Sequence, residues 1–541
     1  MRGLMMDRPL LLIHFLERAR RLYPSQEIVS RTGAGVHRTT YEAAYERARR
    51  LAAALPGLGV APGDRVGTYA WNHHRHFELY FAVPGAGRVL HTLNIRLFPD
   101  QIAFIANHAE DRVIFVDDVL VAALEKIAPH LDHVKAYVIM GDGEPPKTSL
   151  KPLVRYEELV AAGASDYQFP DLDENDAALM CYTSGTTGNP KGVLYSHRAL
   201  ALESMSFAMV DAAALSDHDT VLAIVPMFHA NAWSIPFAAT MVGAKQVFPG
   251  QYLQPADTVS LLESERVTVA AGVPTIWTGV LDLLDREPHE LPGFERALCG
   301  GSAVPISLIE RFDRRGIRLI QAWGMTETSP LGTIAHLKPA LEALSREDRL
   351  KLAAKQGLPV PGVEIRAVDD SGKEVPWDGR TLGELQVRGP WVASAYYNDP
   401  RSPQSFQDGW FRTGDIVTID SEGYVQIQDR AKDVIKSGGE WISSVEIENA
   451  IMGHPKVAEA AVIGVHHAKW EERPLACVVP RAECRETITK EEILDYLRPR
   501  FAKWWLPDDV VFVDAIPKTS VGKVSKRELR EQFKGYKLPT A

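Results

Sequence analysis

The 541-residue chain is long enough to bury a large interior in two or more domains. With 45% apolar and 24% charged residues it has the balance of folded protein, which excludes disorder as its main theme. Its 60 basic against 70 acidic side chains, a net charge of −10, argue against a nucleic-acid or anionic-membrane surface and leave small molecules as the expected partners.

At the start of the chain, the apolar run Leu10 to Leu16 is interrupted by His14. Glu17, Arg18, Arg20 and Arg21 follow it, where a signal peptide would place small residues for cleavage, so an amphipathic first helix is expected. No stretch of about 18 apolar residues occurs, and no membrane-spanning helix is expected. From Thr39 the pattern predicts a helix over Tyr41 to Leu55, a strand over Arg112 to Asp117, a helix over Val119 to Ala128 and a strand over Val134 to Met140. After a polar stretch the alternation resumes through Ala177 to Tyr182, His197 to Val210, Val221 to Val225, Val267 to Gly272 and Arg318 to Ala322, which is the pattern of an α/β fold. Between Gly357 and Asp429, short alternating strands with turns such as Asp369-Asp370-Ser371-Gly372 predict a β-rich subdomain. The expected main boundary follows: residues 1–428 form a large N-terminal domain and 429–541 a small α+β domain with a hairpin at Gly438-Gly439. Cys181, Cys299, Cys477 and Cys484 lack a CxxC spacing, so neither a disulfide scaffold nor a zinc site is expected and the cytoplasm is the expected location.

The most specific segment is Tyr182-Thr183-Ser184-Gly185-Thr186-Thr187-Gly188-Asn189-Pro190-Lys191-Gly192, placed directly after a buried apolar run. Glycines free the backbone, hydroxyls donate hydrogen bonds and Lys191 brings a positive charge, a set suited to polyphosphate oxygens. It is not a Walker loop, because Gly192 rather than Ser or Thr follows the lysine. A second segment, Gln321-Ala322-Trp323-Gly324-Met325-Thr326-Glu327, offers a flat ring for a base and a carboxylate for a magnesium ion. Phe411-Arg412-Thr413-Gly414-Asp415 sets an aspartate after a turn, where it can accept hydroxyl protons, although an Asp in a plain β-turn reads the same way. His229 in Pro226-Met227-Phe228-His229 would, taken alone, be a packed core histidine, and the cations around Asp429 to Lys436 a solvated face.

Taken in order along nearly the whole chain, these motifs resemble the adenylate-forming superfamily of acyl-CoA synthetases, luciferases and peptide-synthetase adenylation domains. The resemblance is strongest to bacterial long- and medium-chain fatty-acid CoA ligases. It implies that Ser184, Gly185, Thr186, Thr187, Gly188 and Lys191 hold ATP phosphates, and that Thr183 and Glu327 hold Mg2+. It places Trp323 against adenine, Gln321 and Ala322 in the base pocket with Gly324 beside them, Thr326 on a phosphate, and Gly300-Gly301 across that pocket. Asp415, assisted by Arg430, would take the ribose. Asp429 would be the hinge between domains, with Lys432 and Lys436 near the nucleotide, Trp441 against the adenylate, and Gly438 and Gly439 along the pantetheine arm of coenzyme A. Lys523, in Pro517-Lys518-Thr519-Ser520-Val521-Gly522-Lys523, matches the lysine that enters during adenylation. Amino-acid-activating relatives carry an aspartate where His229 stands, so a simple carboxylic acid is implied, with Trp233 gating an acyl tunnel. The resemblance also implies a homodimer. Alternatives at this stage are the same chemistry on a short, aromatic or methylthio-substituted acid, a unit that loads a carrier protein, and an acyl-adenylate sensor without catalysis.

Overall fold

The structure, a computed structural model, describes residues 1, 3–183, 189–438, 440–519 and 523–540. The α/β alternation folds into two large sheets. In one, seven strands lie in the order Leu153–Arg155, Ala136–Met140, Asp111–Asp117, Arg65–Tyr69, Val89–Thr92, Ala177–Tyr182 and Gly192–Ser196. All its pairings are parallel except the last. In the other, nine strands run Leu358–Pro359, Leu331–Ile334, Arg318–Gly324, Arg296–Cys299, Val269–Gly272, Thr220–Ala223, Lys245–Phe248, Glu27–Thr32 and Gly35–Thr40. Its middle is parallel and its two edges antiparallel. Every residue of Ala136–Met140 and of Val269–Gly272 is buried. Crossover helices cover both faces of a parallel sheet, so such strands read as unbroken apolar runs rather than alternating ones.

Element ends depart from the sequence reading by a turn or less. The helix expected to reach Leu55 is Tyr41–Ala54, capped by the Thr40 side chain, and tightens into the 3-10 turn Leu55–Leu58 around Pro56. The one expected from Val119 opens as the 3-10 turn Asp118–Leu120 before Val121–Ile127. The helix expected to reach Val210 stops at Ala208, because Met209 takes an extended ψ of 154°. The first helix, Ile13–Leu22, is amphipathic as expected and buries Ile13, Phe15, Leu16 and Ala19. Among the described residues no helix is long and apolar enough to cross a membrane.

The β-rich region is a third sheet of Glu364–Val368, Gly383–Arg388, Trp410–Ile419, Phe406–Gln407 and Val425–Arg430. A fourth is built only from the C-terminal part of the chain: Glu440–Ile442, Ile435–Ser437, Glu471–Pro480, Val457–His467 and Asp509–Phe512. It has its own apolar clusters, one around Ile447, Val462 and Val478 and another around Ile463, Leu475 and Leu529. The hairpin at Gly438 pairs Ile435–Ser437 with Glu440–Ile442, and Gly438 takes φ 61°, a region glycine enters without steric cost.

Candidate active site

Four strands from the two large sheets end at one place. The 183–191 loop follows Ala177–Tyr182, His229 and Trp233 follow Thr220–Ala223, Gly300 and Gly301 follow Arg296–Cys299, and Met325 to Glu327 follow Arg318–Gly324. Ligands of open α/β sheets bind in this position, outside the carboxyl ends of the strands. The third sheet adds Phe411 to Gly414 and Arg430, and the C-terminal loop adds Thr519, Lys523 and Val524. Together they enclose a cavity of about 510 Å³.

On one wall, Ala177–Tyr182 and Gly192–Ser196 form an antiparallel pair whose last rung, Tyr182 to Gly192, brackets residues 183–191. The loop base is cross-linked twice: Thr183 N–H donates to the Lys191 carbonyl at 2.9 Å, and Lys191 N–H donates to Thr183 Oγ1 at 3.1 Å. Ser184, Gly185, Thr186, Thr187 and Gly188 lie outside the described residues. Opposite, Thr326–Thr328 is a buried 3-10 turn. Tyr195 Oη donates to the Thr326 carbonyl at 2.8 Å, and Tyr396 Oη donates to Glu327 Oε1 at 2.6 Å. Gly324 admits no side chain, since a Cβ there would stand 1.6 Å from the Pro330 carbonyl oxygen. Among the described residues no three His, Cys, Asp or Glu side chains are grouped to cage a metal. One buried carboxylate, Glu327, with the Thr183 hydroxyl on the same cavity fits instead a hard cation that keeps waters and phosphate oxygens as its remaining ligands.

The wall formed by Trp323 and Gly300 is narrow. Trp323 lines the cavity, and a Cβ at Gly300 would come within 2.8 Å of the Ala322 carbonyl oxygen, so only glycine leaves that slot open. Gln321 is buried, and its Oε1 finds no hydrogen-bond partner among the described residues. Asp415 is also buried, with one oxygen 2.7 Å from Arg430 Nε and the other accepting from Trp323 Nε1 at 3.0 Å. Burial raises its carboxyl pKa, and the facing Arg430, Trp323 and Lys523 counter that rise. Asp415 itself sits just behind the cavity surface, while Gly414 and Arg430 line it.

His229 and Trp233 occupy the remaining wall. Burial and then the positive charges of Lys523 and Arg96 push the His229 imidazole down to about 3, so it is neutral at physiological pH. Residues Ala230, Asn231, Ala232, Trp233 and Ser234 all take positive φ, between 43° and 56°, which makes a left-handed turn without a glycine. Lys523 reaches in from the C-terminal loop: its Cε lies 3.6 Å from where a Cβ on Gly301 would stand. Burial and the neighbouring Arg430 lower its ammonium to about 8, while Asp415 and Glu327 oppose the fall. The loop is closed by Thr519 N–H donating to the Lys523 carbonyl at 2.6 Å; Ser520, Val521 and Gly522 lie outside the described residues.

Not every residue singled out from the sequence meets here. Lys432 lines the cavity, with burial lowering its amine, but Lys436, Gly438 and Trp441 do not. Lys436 is exposed, Gly438 packs on Trp470, and Gly439 lies outside the described residues. Asp429, at the end of Val425–Arg430, accepts from Ser444 N–H at 3.0 Å and from its hydroxyl, with Lys526 Nζ at 3.8 Å. Lys526 is buried and pairs with Glu448 at 2.9 Å, so this knot joins the third sheet to the C-terminal part. The sequence reading missed Tyr396, Tyr195, Arg96 and Lys526. Of these, only the Tyr396-Tyr397 pair before Asn398-Asp399-Pro400 offered a local signal, an aromatic doublet beside a turn.

The AMP-binding enzyme family model matches residues 16–397, and the model of the AMP-binding enzyme C-terminal domain matches 446–523. The chain is 52% identical over 536 residues to a long-chain-fatty-acid–CoA ligase of Thermus thermophilus, covering 98% of this chain and 97% of that one. It is 48% identical to a 3-methylmercaptopropionyl-CoA ligase of Ruegeria pomeroyi, covering 99% of each. Among solved structures it is similar to the anthranilate CoA ligase AuaEII in complex with anthranoyl-AMP, with a TM-score of 0.87 at 26% identity, covering 97% of this chain and 98% of that one. Matched by the family models over both parts of the chain and by a ligase 52% identical along nearly its whole length, this chain belongs to the AMP-binding enzyme family.

Proposed function

We propose that the protein is an ATP-dependent, AMP-forming acyl-CoA synthetase for a medium- or long-chain fatty acid. The observation that carries this reading is Lys523 reaching Gly301 inside the cavity that also holds Glu327 and Trp323, supported by the fatty-acid ligase relative. Thr183, Lys191 and the loop between them, Ser184 to Gly188, take the ATP phosphates. Trp323, with Gln321, Ala322 and Gly324, takes adenine; Gly301 flanks it, Thr326 meets a phosphate, and Asp415 and Arg430 take the ribose. Glu327 and Thr183 would hold Mg2+, which would supply charge to offset that of the phosphates.

The fatty carboxylate, oriented by a hydrogen bond from His229, attacks the α-phosphorus. The new O–P bond forms as the bond to pyrophosphate breaks. Lys523 lies between the two anions, draws them together and stabilises the charge that gathers as the bond forms. For the second half-reaction the C-terminal domain, from residue 429, turns about Asp429. Lys436, Gly438 and Trp441, which lie off the cavity here, belong with Gly439 to the face that this rotation brings to the adenylate. The thiol of coenzyme A then attacks the acyl carbonyl, its proton leaves to solvent, and AMP departs. We further propose a cytoplasmic homodimer; Leu4, Met5 and Met6, at 93%, 86% and 95% exposure, offer an apolar N-terminal surface for it.

Coenzyme A-dependent AMP release across acids of graded chain length, with methylthio acids included, tests the substrate. A maximum at medium or long chains is expected; one at two to four carbons would sink the fatty-acid reading. The methylthio acid is the second reading, favoured by the Ruegeria relative. Trp233, whose Cη2 would stand 3.3 Å from a Cβ added at Gly300, is the side chain expected to limit acyl entry. Trp233→Ala is expected to shift the chain-length optimum and raise KM for long acids severalfold with kcat for short acids kept. An unchanged chain-length profile would remove it from that role.

A further inference from the structure

Two opposite charges that the proposed nucleotide binding needs at once touch one aromatic side chain. The Lys191 ammonium lies 4.3 Å from the centroid of the Tyr396 ring, and the Tyr396 hydroxyl donates to Glu327 Oε1 at 2.6 Å. Tyr396 is 7% exposed and has little freedom. Its N–H donates to Ser402 Oγ at 2.8 Å, and its ring meets Phe406 edge-on at 5.1 Å between centroids. The same segment straps both nucleotide loops: Ala393 N–H donates to the Glu327 carbonyl and Tyr397 N–H to the Gly192 carbonyl, each at 2.8 Å.

We infer that Tyr396 is a positioning residue for metal-nucleotide binding. Its hydroxyl fixes Glu327 in one rotamer with the second oxygen left for the cation, and its ring face engages the Lys191 ammonium so that it does not close an ion pair with Glu327. This rests on reading the cavity as a Mg-ATP site. A carboxylate that accepts from a neutral phenol keeps its full charge for a metal, whereas one paired with an ammonium would have to lose that partner before binding one. An ammonium over a ring face likewise keeps its charge and can leave for a phosphate, the stronger partner. A phenylalanine would keep the ring face and lose the hydrogen bond; a leucine would lose both.

The test is ATP binding by calorimetry to the full-length protein, titrated with Mg2+, with thermal stabilisation by ATP as a second readout. Tyr396→Phe is expected to raise the Mg2+ concentration for half-maximal ATP binding about tenfold, the ratio that one hydrogen bond to a charged group carries, while leaving metal-free ATP binding near wild type. Tyr396→Leu is expected to weaken metal-free ATP binding as well, because Lys191 can then collapse onto Glu327. Equal Mg2+ dependence in the wild type and in Tyr396→Phe overturns the inference. Failure of the wild type to bind ATP would instead overturn the reading of the cavity.

Discussion

Lys523→Ala is expected to slow acyl-adenylate formation by at least about 10²- to 10³-fold, the cost of removing one charge-stabilising group aimed at a transition state. Transfer from a supplied acyl-adenylate to coenzyme A should stay within a few fold of wild type. Lys523 lines the cavity together with Glu327 and Thr183, and in the proposed mechanism its charge serves the meeting of carboxylate and α-phosphate rather than the attack of the thiol. Pyrophosphate exchange and single-turnover thioester formation separate the two steps, and equal losses in both would refute the assignment. The pH dependence has a definite sign. The ammonium is lowered to about 8 and the cation is the working form, so kcat/KM for ATP should fall as pH rises through about 8. Once polyphosphate and carboxylate are bound, their negative charge favours the cation, and the same limb in kcat should move to higher pH.

The second large effect is expected at Glu327. Glu327→Gln keeps the shape and an acceptor for the Tyr396 hydroxyl but removes the charge beside the phosphates. Loss of a metal-holding carboxylate should lower Mg2+-dependent adenylation by at least about 100-fold, with the thermal midpoint little changed because no buried charge is left unpaired. Calorimetric ATP titration with and without Mg2+ is the matching measurement. Binding of metal-free ATP should be retained or improved, since a negative group has gone, and a variant whose Mg2+ dependence is unaltered would exclude Glu327 as the metal carboxylate.

Much of this site was legible because its parts are local. A phosphate loop, a carboxylate three residues after a glycine and a lysine in a tight loop each announce themselves within a dozen residues, and the strands before them read as apolar runs. The contacts that organise those parts were not legible, because they join distant positions. Tyr396 meets Glu327 across 69 residues, Trp323 meets Asp415 across 92, and Lys526 meets Ser444 across 82. Helix ends were read one or two residues too long for a similar reason. Met209 breaks the helix His197–Ala208 with no glycine or proline to mark the place. Lys436, Gly438 and Trp441 resemble active-site residues yet stand off the cavity, because a local motif does not say which loops the fold brings together.

The left-handed turn at Ala230 to Ser234 bears on how this pocket could change. Each such L-residue costs about 1–2 kcal/mol relative to a right-handed arrangement, so the turn persists only because its surroundings dictate it. Cys181 Sγ donates to Asn231 Oδ1 at 3.2 Å, and Ser234 Oγ donates to the Ser329 carbonyl at 3.3 Å. Residues 229–234 therefore hold their curve together with position 181: transplanting them alone from a ligase of different chain preference should misfold locally, whereas carrying position 181 with them should preserve the curve, the contact at 329 being to a main-chain oxygen that any residue supplies. Drift in substrate preference would then come in correlated sets rather than by single replacements.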